Sequence, residues 1–127
     1  MTGWVGDVGG TAEGNTYFRE VLYTGKDMQL VVISLRPGEE IGIESHDRVE
    51  QFVRVEQGHA RVAMGPAKDK ITETRDLERG SGVVVPADVW HNVVNTGDGE
   101  LKLFTIYAPP EHPHGTVHKT KADAESD

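Results

Sequence analysis

The chain of 127 residues contains no cysteine, which excludes disulfide bonds, cysteine-ligated zinc and cysteine nucleophiles together. It also lacks any apolar run long enough to span a membrane. Its first residues have neither the basic nor the apolar segment of a signal peptide, so we expect a cytoplasmic protein. The length suits one domain with a single hydrophobic core.

Basic side chains are scarce, with 13 lysines and arginines against 21 aspartates and glutamates, for a formal net charge of -8. Such a balance lacks the positive patch with which proteins bind nucleic acid or anionic lipid. We therefore expect neither nucleic acid nor a membrane as a partner.

Short runs of β-branched and aromatic residues alternate with glycine-containing turns along most of the chain. The sequence Gly25-Lys26-Asp27 divides two such runs and is a hairpin signal. A further short hairpin or strand is expected around Ile71 to Thr74. No segment has helical periodicity beyond a turn, so the pattern predicts an all-β sandwich or barrel.

Composition divides the chain into three parts. Residues 1–15 are rich in glycine and polar residues and are expected to form a loose, flexible arm, whose Trp4 could dock on the body. Residues 16–110 form the predicted barrel. Residues 111–127 are expected to lie over the barrel as coil and then to fray.

Two motifs resemble those of the cupins, a family with the double-stranded β-helix fold, a jelly-roll-like barrel. The family's first motif runs glycine, five residues, His-x-His, three or four residues, Glu, six residues, glycine. The second runs glycine, five residues, Pro-x-Gly, two residues, His, three residues, Asn. The first corresponds here to Gly38, Glu44-Ser45-His46, Gln51 and Gly58, and the second to Gly80, Pro86-Ala87-Asp88, His91 and Asn95. The resemblance covers residues 35–109, with Asp88 in the place of a glycine.

The resemblance implies one divalent metal ion in the barrel. Carried over by position, the family's ligands become Glu44, His46, Gln51 and His91. One histidine is replaced by a carboxylate and the usual carboxylate by an amide, so the formal charge of the ligand set is unchanged. A set of two nitrogen and two oxygen donors suits zinc, manganese or iron(II) and is less favourable for copper.

Glu50 is the alternative to Gln51, because the family spacing allows either position. Gln51 shares its strand face with Val53 and Val55, the face expected to point inward, and the count from Gln51 ends correctly at Gly58. We therefore favour Gln51. A metal-free pocket with hydrogen-bonded Glu and His side chains stays open as an alternative.

The remaining site residues are assigned from their positions. Glu44 is also a candidate general base, and Tyr107 is the second predicted catalytic residue if the tail folds across the barrel mouth. The histidines outside the motifs are expected to be exposed, although a tail histidine could also reach the pocket: His59, His112, His114 and His118.

Apolar side chains on the outer faces of the strands near the C-terminal end predict a partner subunit. Trp90, Phe104 and Ile106 alternate away from the predicted interior and need a cover. A homodimer resembling those common among cupins would supply it.

Three functions are compatible with these residues. The first is a metal-dependent isomerase, epimerase or lyase that binds a small polar metabolite, with the ion as Lewis acid and Glu44 or a tail histidine moving a proton. The second is an iron(II) or manganese dioxygenase. The third is a non-enzymatic protein that binds or senses a small molecule.

Overall fold

A computed structural model describes residues 3–126, which form nine strands and two short helices. In chain order the elements are α1 Val8–Gly14, β1 Arg19–Thr24, β2 Gln29–Leu35, β3 Glu50–Gln57, β4 Ala60–Gly65, β5 Glu73–Leu77, β6 Gly82–Val85, β7 Trp90–Asn95, β8 Leu101–Ala108, β9 Val117–His118 and α2 Lys121–Glu125. Within this part of the chain, neither helix has the length and apolar character needed to cross a bilayer.

The strands form two antiparallel sheets that enclose one core. The larger sheet has the order β6-β3-β8-β2-β1-β9, and the smaller has the order β5-β4-β7. Side chains from both sheets meet between them, for example Ile33 and Val53 from the larger and Val62 and Val93 from the smaller. The predicted all-β cupin-type barrel is confirmed.

The predicted hairpin is present, with β1 paired to β2 across the turn at residues 25–27. The strand expected around residues 71–74 begins two residues later and extends further, as β5. Its residues are mostly exposed, so no alternation of buried and exposed side chains marks its ends.

The N-terminal segment differs from the loose arm that its composition suggests. Asp7 caps helix α1 by accepting a hydrogen bond from the backbone of Gly10 at 3.0 Å. Ala12 of this helix is fully buried against Val32 and Phe104 on the outer face of the larger sheet. The helix therefore covers part of the face that the sequence assigned to a partner subunit. The homodimer stays a prediction.

The C-terminal segment is also more ordered than the predicted coil. Strand β9 pairs with β1 and forms the edge of the larger sheet, placing His118 opposite Arg19. Helix α2 then begins with a capping box formed by Thr120 and Asp123. This return of the chain closes one side of the barrel mouth, where the predicted site lies.

Candidate metal centre

The backbone brings the two motifs together at the barrel mouth. Glu44 and His91 form an isolated antiparallel bridge, with reciprocal hydrogen bonds of 2.9 Å and 2.8 Å between their backbone groups. The backbone N–H of Asp88 donates to the carbonyl of His46 at 3.0 Å. The positions of Glu44, His46 and His91 are thus fixed by main-chain contacts between the motifs.

Asp88 explains how the second motif tolerates the loss of its glycine. Its φ of 69° lies in the left-handed region, where glycine is preferred and aspartate is among the best-tolerated alternatives. The turn at this position is therefore kept, and it leads directly into His91 at the start of β7.

Three of the four predicted ligands form a compact cluster. Oε1 of Glu44 lies 3.2 Å from Nε2 of His46 and 3.7 Å from Nε2 of His91. One ligand atom from each residue lies within 4.8 Å of those of the other two. The His46 contact falls outside hydrogen-bond geometry, so its Nε2 is buried without a hydrogen-bond partner, as is Nε2 of His91.

The far side of each histidine ring is held by an oxygen. Nδ1 of His91 donates to the carbonyl of Val89 at 2.9 Å, which leaves the lone pair on Nε2. Nδ1 of His46 lies 3.4 Å from a carboxylate oxygen of Glu111. Such contacts at the second nitrogen orient the histidines that bind metal ions in proteins.

Gln51 supplies the fourth polar side chain. It is 3% exposed on β3, and its Nε2 donates to the hydroxyl of Thr105 at 2.9 Å. Its Oε1 is buried without a hydrogen-bond partner. The neighbouring Glu50 is exposed, so the predicted choice of strand face is confirmed, while ligation by Gln51 stays a prediction.

These unpartnered atoms fit a bound cation. A buried polar atom without a partner is costly, and His46, Gln51 and His91 each have one. The atoms are imidazole nitrogens and an amide oxygen, and the nearby carboxylate of Glu44 supplies negative charge. This donor set is compatible with zinc, manganese or iron(II).

Electrostatics favour a charged carboxylate in the cluster. Burial acts to raise the pKa of Glu44, but the contacts with His46 and His91 outweigh it and lower that pKa below its ordinary value. Burial acts to lower the pKa of His46, but the carboxylates of Glu44 and Glu111 outweigh it and raise that pKa. Burial lowers the pKa of His91, which keeps that ring neutral near neutral pH.

The rings of Tyr107 and His112 pack beside the cluster. Tyr107 is 1% exposed, and its ring centroid lies 5.7 Å from that of His46 and 5.2 Å from that of His112. Burial raises the pKa of Tyr107 above its ordinary value, so the phenol stays protonated near neutral pH. Burial lowers the pKa of His112 to about 4, and its buried Nε2 has no hydrogen-bond partner.

The other histidines divide as follows. His59 and His114 are exposed, as expected from the sequence. His112 and His118 differ from the expected exposed coil, because His112 packs on Tyr107 and His118 is buried in β9. The folded tail therefore brings one histidine to the site, which the sequence left open as an alternative.

Sequence reasoning missed two charged residues near the cluster. Glu111 contacts His46 from the tail, and Arg19 lies on β1 with its side chain buried. Both belong to parts of the chain outside the motifs, and their approach depends on how the tail folds. No pattern in the sequence indicates that Glu111 or Arg19 lies near the cluster.

A cavity of about 540 Å³ opens beside the cluster. Its walls come from β1, the segment that precedes His46, the tail and helix α2. Glu44 and His112 both line it, so a molecule in the cavity would contact the candidate metal centre. The volume is of the size that holds a small metabolite.

Comparisons with known proteins agree with this architecture. A model of the Cupin domain family matches residues 31–107. The uncharacterised protein YrkC of Bacillus subtilis is 54% identical over 114 residues, which are 90% of this chain and 61% of YrkC. An uncharacterised protein of Acanthamoeba polyphaga mimivirus is 39% identical over 81% of this chain and 63% of its own length. The chain spans about three fifths of the length of these curated relatives.

A solved structure resembles almost the whole chain. The crystal structure of BH2720 from Bacillus halodurans superposes with a TM-score of 0.96 at 43% identity, over 98% of this chain and 94% of that one. The agreement includes the N-terminal and C-terminal segments, because nearly all of both chains is covered.

Proposed function

The chain belongs to the cupin domain family, and from that premise we propose that it is a metal-dependent enzyme acting on a small polar metabolite by Lewis-acid and proton-transfer chemistry, as an isomerase, epimerase or lyase does. The observation that carries this proposal is the set of buried, unpartnered ligand atoms on His46, Gln51 and His91 around the carboxylate of Glu44.

Glu44, His46, Gln51 and His91 would hold the ion. A divalent metal at this position supplies a Lewis acid that polarises a carbonyl or hydroxyl oxygen of the substrate. Glu44 stays ionised because of its lowered pKa, and His91 presents a neutral Nε2. The chain thus contributes one negative charge to balance the ion.

Proton transfer is assigned to the cavity side of the cluster. His112 lines the cavity, and its unpartnered Nε2 can contact a proton of the substrate. Because its pKa is about 4, the ring is a weak base that readily releases a proton it takes up. Glu44 also lines the cavity and can contact the substrate. Tyr107 stays protonated and packs against both His46 and His112, so we assign it the role of holding these rings in place.

An iron(II) or manganese dioxygenase is the second candidate. The cluster of two histidines and one carboxylate is the donor set that recurs in non-haem iron oxygenases. Oxygen uptake by the iron(II)-loaded protein, recorded with candidate metabolites under air, separates the two. Uptake that depends on a metabolite favours the dioxygenase, and conversion of a metabolite without uptake favours the isomerase or lyase.

Metal analysis is the direct test of either enzyme. Protein purified without a histidine tag is expected to bind about one equivalent of zinc, manganese or iron(II), since the four side chains form one site. Elemental analysis after dialysis measures the content. Less than about a tenth of an equivalent, with no gain on adding any of the three ions, would support the non-enzymatic binding protein instead.

Metal affinity is expected to rise with pH. The raised pKa of His46 means that in the metal-free protein this ring keeps its proton to a higher pH than an ordinary histidine does, and a metal must displace that proton. Below that pKa the affinity should fall by about tenfold for each pH unit, and more steeply once His91 or Glu44 also takes up a proton. Above it the dependence on His46 disappears.

Calorimetry in two buffers of different ionisation enthalpy measures the protons released on binding zinc. We expect up to about one proton per ion near neutral pH. Replacing the exposed His59 by Gln provides a control with one histidine fewer and the same release expected. Zinc binding without proton release below the His46 pKa would contradict the assignment of His46 as a ligand.

A further inference from the structure

Arg19 is a buried cation without a carboxylate partner. It is 8% exposed, and none of the ion pairs among residues 3–126 involves it. Its Nε is buried without a hydrogen-bond partner. A buried charge with no opposite charge within ion-pair distance is unfavourable, so a guanidinium in this state indicates that an anion completes its surroundings.

The guanidinium is held in place. Its Nη1 donates to Nδ1 of His118 at 3.1 Å, a contact fixed by the pairing of β1 with β9. The carbon Cζ lies 5.1 Å from the centre of the Phe18 ring. A fixed guanidinium binds an oxyanion with a smaller loss of conformational freedom than a mobile side chain.

Arg19 faces the same cavity as the candidate metal centre. Arg19, Glu44 and His112 all line the space of about 540 Å³, and electrostatic coupling joins Arg19 to both of the other residues. One molecule of metabolite size in this cavity can therefore contact both Arg19 and Glu44 of the metal centre.

We infer that Arg19 is the anchor for a carboxylate group of the small molecule that occupies this cavity. This inference rests on the proposed function for the statement that the molecule is a substrate. The other charged side chains that line the cavity are Glu40, Glu44, Lys121 and Glu125. These three carboxylates outnumber the two cations, Arg19 and Lys121, so they would repel a dianion such as phosphate more strongly than a singly charged carboxylate.

The test uses matched ligands on one protein. Glycolate and D-gluconate, each with a single carboxylate, are compared with glycolamide and D-gluconamide, which keep the shape and lose the charge. Binding to the zinc-loaded and the metal-free full chain is measured by ligand-observed NMR and calorimetry. At least one carboxylate is expected to bind roughly 10- to 100-fold more tightly than its amide.

Variants then assign the effect to Arg19. Arg19→Gln should lose that 10- to 100-fold preference, Arg19→Lys should keep part of it, and both should bind zinc as the wild type does. Arg75→Gln is the matched control, because Arg75 is exposed on β5 and its loss changes the net charge equally. If Arg19→Gln does not fold, Arg19→Lys decides on its own, because it keeps the charge and loses the fork of N–H donors: an acid preference unchanged from the wild type in Arg19→Lys would overturn the assignment.

The outcomes separate the inference from the proposed function. Equal binding of acids and amides, no binding of any acid, or tighter binding of inorganic phosphate overturns the carboxylate anchor, even when zinc binds. A preference for acids that survives in Arg19→Gln also overturns it. If zinc fails to bind, the proposed function fails, while a preference lost with Arg19 in the metal-free protein still supports the anchor.

Discussion

Replacing His91 by Ala is expected to lower the affinity for zinc by about 100-fold or more, since loss of residues that merely orient a ligand already costs about 10- to 100-fold. His91 is 3% exposed, and its Nε2 lies 3.7 Å from the carboxylate of Glu44. Competition with a chelating dye measures the affinity. Replacing the exposed His59 by Ala should leave it unchanged.

The same assay decides between the neighbouring candidates on β3. Gln51→Ala should weaken zinc binding by about tenfold, because it removes one neutral oxygen donor while the two histidines and the carboxylate stay. Glu50→Ala serves as its control, since Glu50 is exposed on the opposite face of the same strand. A loss of affinity in Glu50→Ala, with none in Gln51→Ala, would show that the assigned strand register is wrong.

The strand pattern and the spacing of the two motifs were sufficient to predict the barrel and the residues that meet at its mouth. Alternation along β3 placed Gln51 inside and Glu50 outside because successive side chains of a strand point to opposite faces. The spacing of the motifs also predicted that Glu44 and His91 lie in one cluster. This succeeded because the backbone bridge between them depends on local turns, such as the one at Asp88, that the motif spacing preserves.

The terminal segments were less accessible to this reasoning. Helix α1 has seven residues, three of them glycine, so its own propensity is low and its burial against Phe104 stabilises it. The approach of Arg19 to His118 and of Glu111 to His46 likewise depends on tertiary packing of the tail. Contacts between segments so distant in sequence leave no periodic pattern.

Tyr107 connects the hydrophobic core to the candidate metal centre. Its side chain is fully enclosed on β8, where it pairs in register with Gln51 on one side and with Gln29 on the other. It belongs to the main core cluster, and its ring also contacts His46 and His112. Removing the ring should therefore affect stability and metal binding together.

Tyr107→Ala is expected to lower the free energy of unfolding by about 3–5 kcal/mol, the usual cost of removing a buried aromatic side chain. Urea denaturation in the presence of a chelator measures the metal-free protein, so that loss of metal does not add to the value. Zinc affinity should also fall, since His46 loses the ring that it packs against at 5.7 Å.

Tyr107→Phe separates the ring from the hydroxyl. If Tyr107 acts by holding the histidine rings, the free energy of unfolding of the phenylalanine variant should lie within about 1 kcal/mol of the wild-type value, and the variant should bind zinc equally well. Any activity identified should then survive in Tyr107→Phe and be lost in Tyr107→Ala. Loss of activity in Tyr107→Phe with unchanged stability and metal affinity would instead give the hydroxyl a direct catalytic role, because only the O–H group distinguishes the two side chains.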